Sequence, residues 1–209
     1  DEDLAGIADL AYKVLNLYRR VTGKNNGKVT VSVSSFVPKA HSAFQWAPQC
    51  SIEEIERKQR FIKTLIRDKH ISYHYHDART GRMEAAFARG DRRLGKVLYR
   101  AWEKGSKFDG WTEMFDYDIW NAAFAETGLS VDYFASRKRR ENEAFPWDHM
   151  SPGVAKNYLL KEWQQARDEQ LTRDCRHGRC TGCGVCPNLG VHVIDWKEGD
   201  GSGKTTFSY

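Results

Sequence analysis

Four of the chain's five cysteines, Cys175, Cys180, Cys183 and Cys186, fall within twelve residues in the spacing Cys-x4-Cys-x2-Cys-x2-Cys, and Pro187 follows at once. Nothing else in the sequence restricts the fold as sharply, because a secreted disulfide scaffold spreads its cysteines along its whole length. This packing points instead to a metal site in a reducing, cytoplasmic compartment. Thiolates two residues apart on a tight loop can bind one metal or successive corners of one cluster. Gly178, Gly182 and Gly184 supply the backbone freedom for that path. Zinc sites more often grip the ion with two pairs separated by roughly a dozen residues or more. Here the pairs overlap, which favours a 4Fe-4S cluster and leaves zinc as the alternative. His177 could replace one cysteine, although a surface role is the simpler reading.

The rest of the composition describes an ordinary globular chain. With 209 residues, 40% hydrophobic and 29% charged, it fits one domain of usual size or two small ones and excludes collagen-like and wholly disordered architectures. No run approaches the roughly 18 apolar residues of a spanning helix, so no membrane partner is expected. Asp1, Glu2 and Asp3 are acidic where a signal peptide is basic. The net charge of +5 is weak evidence for nucleic acid. The one basic run, Arg137 to Arg140, is followed by Glu141 and Glu143 and reads as a solvated helix face, with an RNA or acidic-partner contact as the alternative.

Periodicity divides the chain in character. Leu4, Ile7, Leu10, Ala11, Val14, Leu17, Tyr18 and Val21 recur at helical steps, with acids first, Arg19 and Arg20 last, and Gly23 as the stop. Lys28 to Phe36 alternates as a strand with one buried face. Ser51, with Glu54 three residues on, is a capping box opening a helix whose stripe is Ile52, Ile55, Ile62, Leu65 and Ile66. His70 to Asp77 alternates again. A strand, helix and strand with a crossover of this length is the parallel α/β pattern. From about Arg79 the chain reads as mostly helical. One helix is centred on Leu94 to Trp102 and another runs from Trp111 to Ala125. A last helix opens at Ser151-Pro152 and buries Leu159 and Trp163. The tail from Gly199 to Tyr209 is rich in Gly, Ser and Thr and is expected to be mobile.

Other motifs name no reaction. Cys50 stands alone before a helix and reads as a small buried hydrophobe. His70, His74 and His76 share one side of the second strand with Ser72, as a polar face or substrate lining rather than a metal site. Gly203-Lys204-Thr205 fails as a phosphate loop, because Glu198 stands where the earlier glycine is required. The aromatic stretch from Phe108 through Trp111, Trp120 and Phe124 has core spacing, and Phe145-Pro146-Trp147-Asp148-His149 reads as a loop anchor.

Taken in order, Val31-Ser32-Val33-Ser34-Ser35-Phe36-Val37-Pro38-Lys39, Phe44-Gln45-Trp46, Phe87-Ala88-Arg89-Gly90-Asp91-Arg92-Arg93, Phe108-Asp109-Gly110-Trp111, Pro146-Trp147-Asp148-His149 and the cysteine cluster resemble the carboxyl part of cobalamin-binding-type radical SAM proteins. The resemblance implies an α/β fold in which positions 1–78 are closing βα units of a radical SAM (TIM-like) barrel. Positions 79–170 would form a helical, aromatic-rich extension, 171–198 a Cys-rich loop and 199–209 a flexible tail. It implies that Ser34, Phe36 and Pro38 lie at the catalytic mouth, where S-adenosylmethionine or substrate binds. Strand carboxyl ends are where parallel barrels gather their active groups. Cys175, Cys180, Cys183 and Cys186 would hold an auxiliary cluster. The family's CxxxCxxC loop has no counterpart here, since cysteine first occurs at position 50. The chain is therefore expected to be a carboxyl-terminal fragment, partnered in the parent by the missing barrel and cobalamin-type domain and inactive alone in radical chemistry. The competing expectation is a zinc-stapled structural or RNA-binding module.

Overall fold

A computed structural model describes residues 1–176 and 179–191. His177, Gly178, the Gly203-Lys204-Thr205 stretch and the Gly199–Tyr209 tail lie outside the described residues. Two compact units are present, one built from Asp1–Lys39 and Ala47–Lys138, the other from Ala40–Trp46 together with the chain from Arg139 onward.

The first unit begins with α1 (Glu2–Thr22), which Glu2 and Asp3 start and Arg19 and Arg20 end, in accord with the helix dipole. Gly23 closes it at φ 67°, a left-handed conformation that glycine adopts without a Cβ penalty, and its N–H bonds back to the Arg19 carbonyl. Strand β1 (Val29–Val33) follows, then α2 (Ile52–Leu65), capped by the Ser51 hydroxyl accepting from Glu54 N at 3.2 Å. Strand β2 (Ile71–Tyr75) pairs with β1 in parallel, Val29 opposite Ile71 and Val33 opposite Tyr75. The crossover is thus a right-length βαβ connection, and among the described residues the sheet has two strands. Ala11 and Leu15 of α1 bury against Ile71, with Val29, Val31 and Ile66 alongside. The opposite side of α1 leaves Leu10, Val14, Leu17 and Val21 exposed at helical spacing.

Three further helices and a short fourth complete this unit: α3 (Ala78–Arg89), α4 (Leu94–Glu103), α5 (Tyr117–Glu126) and α6 (Val131–Ala135). Met83, Ala86, Val97, Ala101, Phe124 and Phe134 form their shared core. The aromatic-rich stretch is only partly core. Trp120 and Phe124 are buried, but Phe108 and Trp111 are exposed, and α5 starts six residues later than the periodicity suggests because the Asp116 carboxylate caps it, accepting from Asp118 N and Ile119 N.

In the second unit a 3-10 turn (Ala43–Trp46) packs against α7 (Lys156–Arg167), with Phe44 edge-on to Trp163 at 5.5 Å. Phe145 and Trp147 are buried anchors, as their pattern suggests, and the Trp147 indole donates to Gln45 Oε1 at 2.8 Å. Two expectations are corrected here. The Arg137–Arg140 run is not helical, and Arg139 is buried over the rings of Phe145 and Trp147 at 5.3 and 5.0 Å. Stacking on those aromatics holds it better than solvent would. Ser151-Pro152 does not open the last helix, which begins at Lys156; Ser151 instead accepts from Gly153 N at 3.3 Å.

Candidate functional site

The two strands run the same way, so their carboxyl ends lie side by side, and the residues that follow them enclose a groove of about 410 Å³. Ser34, Ser35, Phe36 and Val37 come from the segment after β1, His76 from the residue after β2, and Glu84 from α3. Open parallel sheets place ligands in this position, because side chains from successive strand ends converge there. Backbone bonding sets the geometry: His76 N donates to Val33 O at 3.1 Å, extending the ladder by one rung.

Two buried glutamines brace the rim. Gln59 of α2 donates to the His76 carbonyl at 2.8 Å, and Gln49 donates to the Gly81 carbonyl at 2.9 Å and to Phe36 O at 3.5 Å. Gly81, in the first turn of α3, lets that helix approach closely. A Cβ there would stand 3.4 Å from His76 Nδ1 and 3.5 Å from Ser35 Cβ. The Ser35 hydroxyl oxygen is buried with no hydrogen-bond partner among the described residues. Lys39 and Glu84 form an ion pair across the groove's edge.

Ser34 and Phe36 therefore sit in one groove, with Phe36 exposed, whereas Pro38 is fully buried and does not line it. Of the three histidines, only His76 reaches the groove. His70 bonds to Asp68 Oδ1 at 2.9 Å and contacts Arg19 at 3.3 Å, and His74 is exposed. The Asp68 carboxyl is lowered to about 2 by the His70 backbone N–H, the His70 ring and Arg19. Cys50 is exposed, not buried, with Lys58 Nζ 3.6 Å from its sulfur; the loop before α2 leaves it on the surface. Ser35, Gln49 and Glu84 went unrecognised as site residues in the sequence. Gln59 carried a signal, being a polar residue on the stripe of Ile55 and Ile62.

The cysteine loop belongs to the second unit. All four sulfurs are free thiols. Gly182 and Gly184 hold φ of 79° and 93°, and Gly182 N donates to Cys180 Sγ at 3.4 Å. Short α8 (Val185–Leu189) carries Cys186 and ends at Gly190. The loop is docked on the segment before α7: Ala155 N donates to Cys183 O at 2.9 Å, Asn188 Nδ2 to Gly153 O at 2.7 Å, and Tyr158 to Thr181 at 3.1 Å. Gly184 lies so near Gly153 O that a Cβ would be 3.3 Å from it. Among the described residues no three His, Cys, Asp or Glu side chains stand together at metal-binding separation. Four thiol side chains on one loop are the donor type that iron–sulfur clusters and zinc use, and their described positions do not bring three of them together.

No protein-family description, no curated protein and no solved structure matches this chain. Among the described residues no helix is long and apolar enough to cross a membrane.

Proposed function

We propose that the chain is the closing part of a cytoplasmic radical SAM enzyme, joined to a helical extension that carries an auxiliary 4Fe-4S cluster. The observation that carries this reading is the parallel pair β1–β2, which has no further strand on either side among the described residues. Parallel strands occur almost only in larger sheets covered on both faces, and two strands alone are marginal in water. Neighbouring βα units of a barrel would pair those edges and cover Leu10, Val14, Leu17 and Val21 on α1.

Within such a barrel the groove lined by Ser34, Phe36 and His76 would receive part of S-adenosylmethionine or of the substrate. Phe36, 59% exposed, would offer a ring face to a flat ligand. Pro38 would fix the loop from within the core. Cys175, Cys180, Cys183 and Cys186 would ligate the cluster, whose chemistry when bound is one-electron transfer or a cross-link for the extension. The Cys183 carbonyl and Gly184 would tie the ligand loop to residues 153–155.

The longer chain that contains this sequence, made anaerobically and supplied with dithionite, is expected to release deoxyadenosine from S-adenosylmethionine. A gene with no CxxxCxxC ahead of Asp1, and no such product, would overturn the reading.

A further inference from the structure

The outward face of α4, in the first unit, carries cations and large aromatic rings side by side. Arg92, Lys96 and Tyr99 recur at helical spacing and are all exposed, so they share one face. Of the basic residues here, Arg93 is held by Asp91 at 2.7 Å, Arg100 by Glu103 and Glu126, and Lys104 by Glu126. Arg92, Lys96 and Lys107 are left exposed, with no ion pair among the described residues. The first turn of α4 has no acidic residue, so Arg92 and Lys96 add to the positive end of the helix dipole. Tyr99, 61% exposed, and Trp102, 57% exposed, stand with ring centroids 5.7 Å apart. Trp102 shares a groove with Lys107 and Phe108 at the far end of the helix. At the near end Tyr133 of α6, 46% exposed, has the guanidinium groups of Arg93 and Arg137 over its ring at 5.4 and 4.9 Å. Burying such rings is a large source of stability, and this face forgoes it.

We infer that this face binds single-stranded RNA. Sequence-tolerant recognition of a single strand needs cations that follow the phosphates and ring faces on which successive bases stack. Here Arg92, Lys96 and Lys107 would meet phosphates, while Tyr99, Trp102 and Tyr133 would receive bases. The helix rises about 14 Å between Arg93 and Trp102, which gives room for several bases rather than one. An acidic peptide would answer the cations and leave the rings in water. A duplex keeps its base faces inside its own stack, whereas RNA loops and ends present them. An anionic bilayer would cover rings and cations alike, but Glu103, exposed on the same face one turn beyond Tyr99, would enter the hydrocarbon with them at high cost.

The surface uses no residue of the strand-end groove and no cysteine, so it stands whether or not the chain holds iron. The test is fluorescence anisotropy of the whole chain with a labelled oligouridylate, beside an RNA duplex of the same length and vesicles containing phosphatidylserine. The single strand is expected to bind saturably and more tightly than the duplex or the vesicles, with an affinity that falls as salt rises. Lys96→Gln is expected to lower the slope of that salt dependence by about 0.7. Tyr99→Ala and Trp102→Ala, both at exposed positions, are each expected to weaken binding about tenfold with the slope unchanged and with wild-type helix content by circular dichroism. No saturable binding of the single strand, equal binding of duplex or vesicles, or wild-type affinity in both ring variants would overturn the inference.

Discussion

Arg89 is a fully buried cation whose guanidinium is spent on main-chain carbonyls. From α3 it donates through Nε to Phe134 O at 3.0 Å, through one terminal nitrogen to Ala47 O and through the other to Arg137 O at 2.8 Å. One planar fork thereby ties α6 and the segment after it to the chain just ahead of α2, which only a guanidinium can do at three diverging oxygens. Substituting Arg89→Met keeps much of the volume and strands two buried acceptors and one part-buried acceptor. At about 1 kcal/mol or more for each, the variant is expected to lose roughly 3 kcal/mol in urea denaturation. A loss under about 0.5 kcal/mol, the usual size for a surface substitution, would contradict this role. Arg89 appears in the sequence as one member of Phe87-Ala88-Arg89-Gly90-Asp91, and nothing in its spacing marks it as buried. Of the positions that orient the strand-end groove, Gln59 is marked by its place on the buried stripe of α2, whereas Gln49 is as opaque as Arg89, since a buried glutamine in a loop is recognisable only once its carbonyl partners are known.

The elements that were readable are those whose signals are local. The charge gradient and Gly23 fix α1, the Ser51 cap fixes the start of α2, and alternation fixes both strands, so the parallel βαβ unit follows from the sequence alone. Boundaries that depend on distant partners were not readable. The start of α7 falls at Lys156 because the residues before it are engaged by the cysteine loop, with Ala155 N bonded to Cys183 O. The Arg137–Arg140 run departs from a helix because Arg139 has aromatic rings to stack on.

The turn from α2 into β2 carries a pH-dependent lock of the same non-local kind. Asp68 accepts from His70 N at 2.8 Å and from Arg19 of α1 at 3.0 Å, while Tyr12 of α1 accepts from the backbone N–H groups of Arg67 and Asp68. The Asp68 pKa is depressed to about 2, against about 3.9 in an unfolded chain. A depressed carboxyl contributes stability that is fully present above the unfolded value and lost as pH falls through the folded one. Urea midpoints are therefore expected to drop between roughly pH 4 and pH 2, and Asp68→Asn to flatten that part of the profile. Glu54, also lowered to about 2 by its hydrogen bond from Arg57, adds to the same window and leaves a residual slope in the variant. An identical profile for both proteins would contradict the lock.

Across the molecule, two features lie in different units: a parallel sheet with two strands among the described residues, and a loop dense in thiols. In the function proposed above, strands supplied from elsewhere would complete the first. The second has no explanation in packing, because Cys180 is exposed and no sulfur is bonded to another. One exposed and three half-buried thiols, on a loop with left-handed glycines docked through Cys183 O and Asn188, are the donors that the proposed cluster would use.

The central claim is most directly tested by the iron, acid-labile sulfide and zinc content of the chain purified without oxygen, read together with its visible absorption. About four irons and four sulfides per chain, with broad absorption bleached by dithionite and lost in Cys183→Ala, is the predicted result. A colourless protein holding about one zinc, or no metal at all, would contradict it.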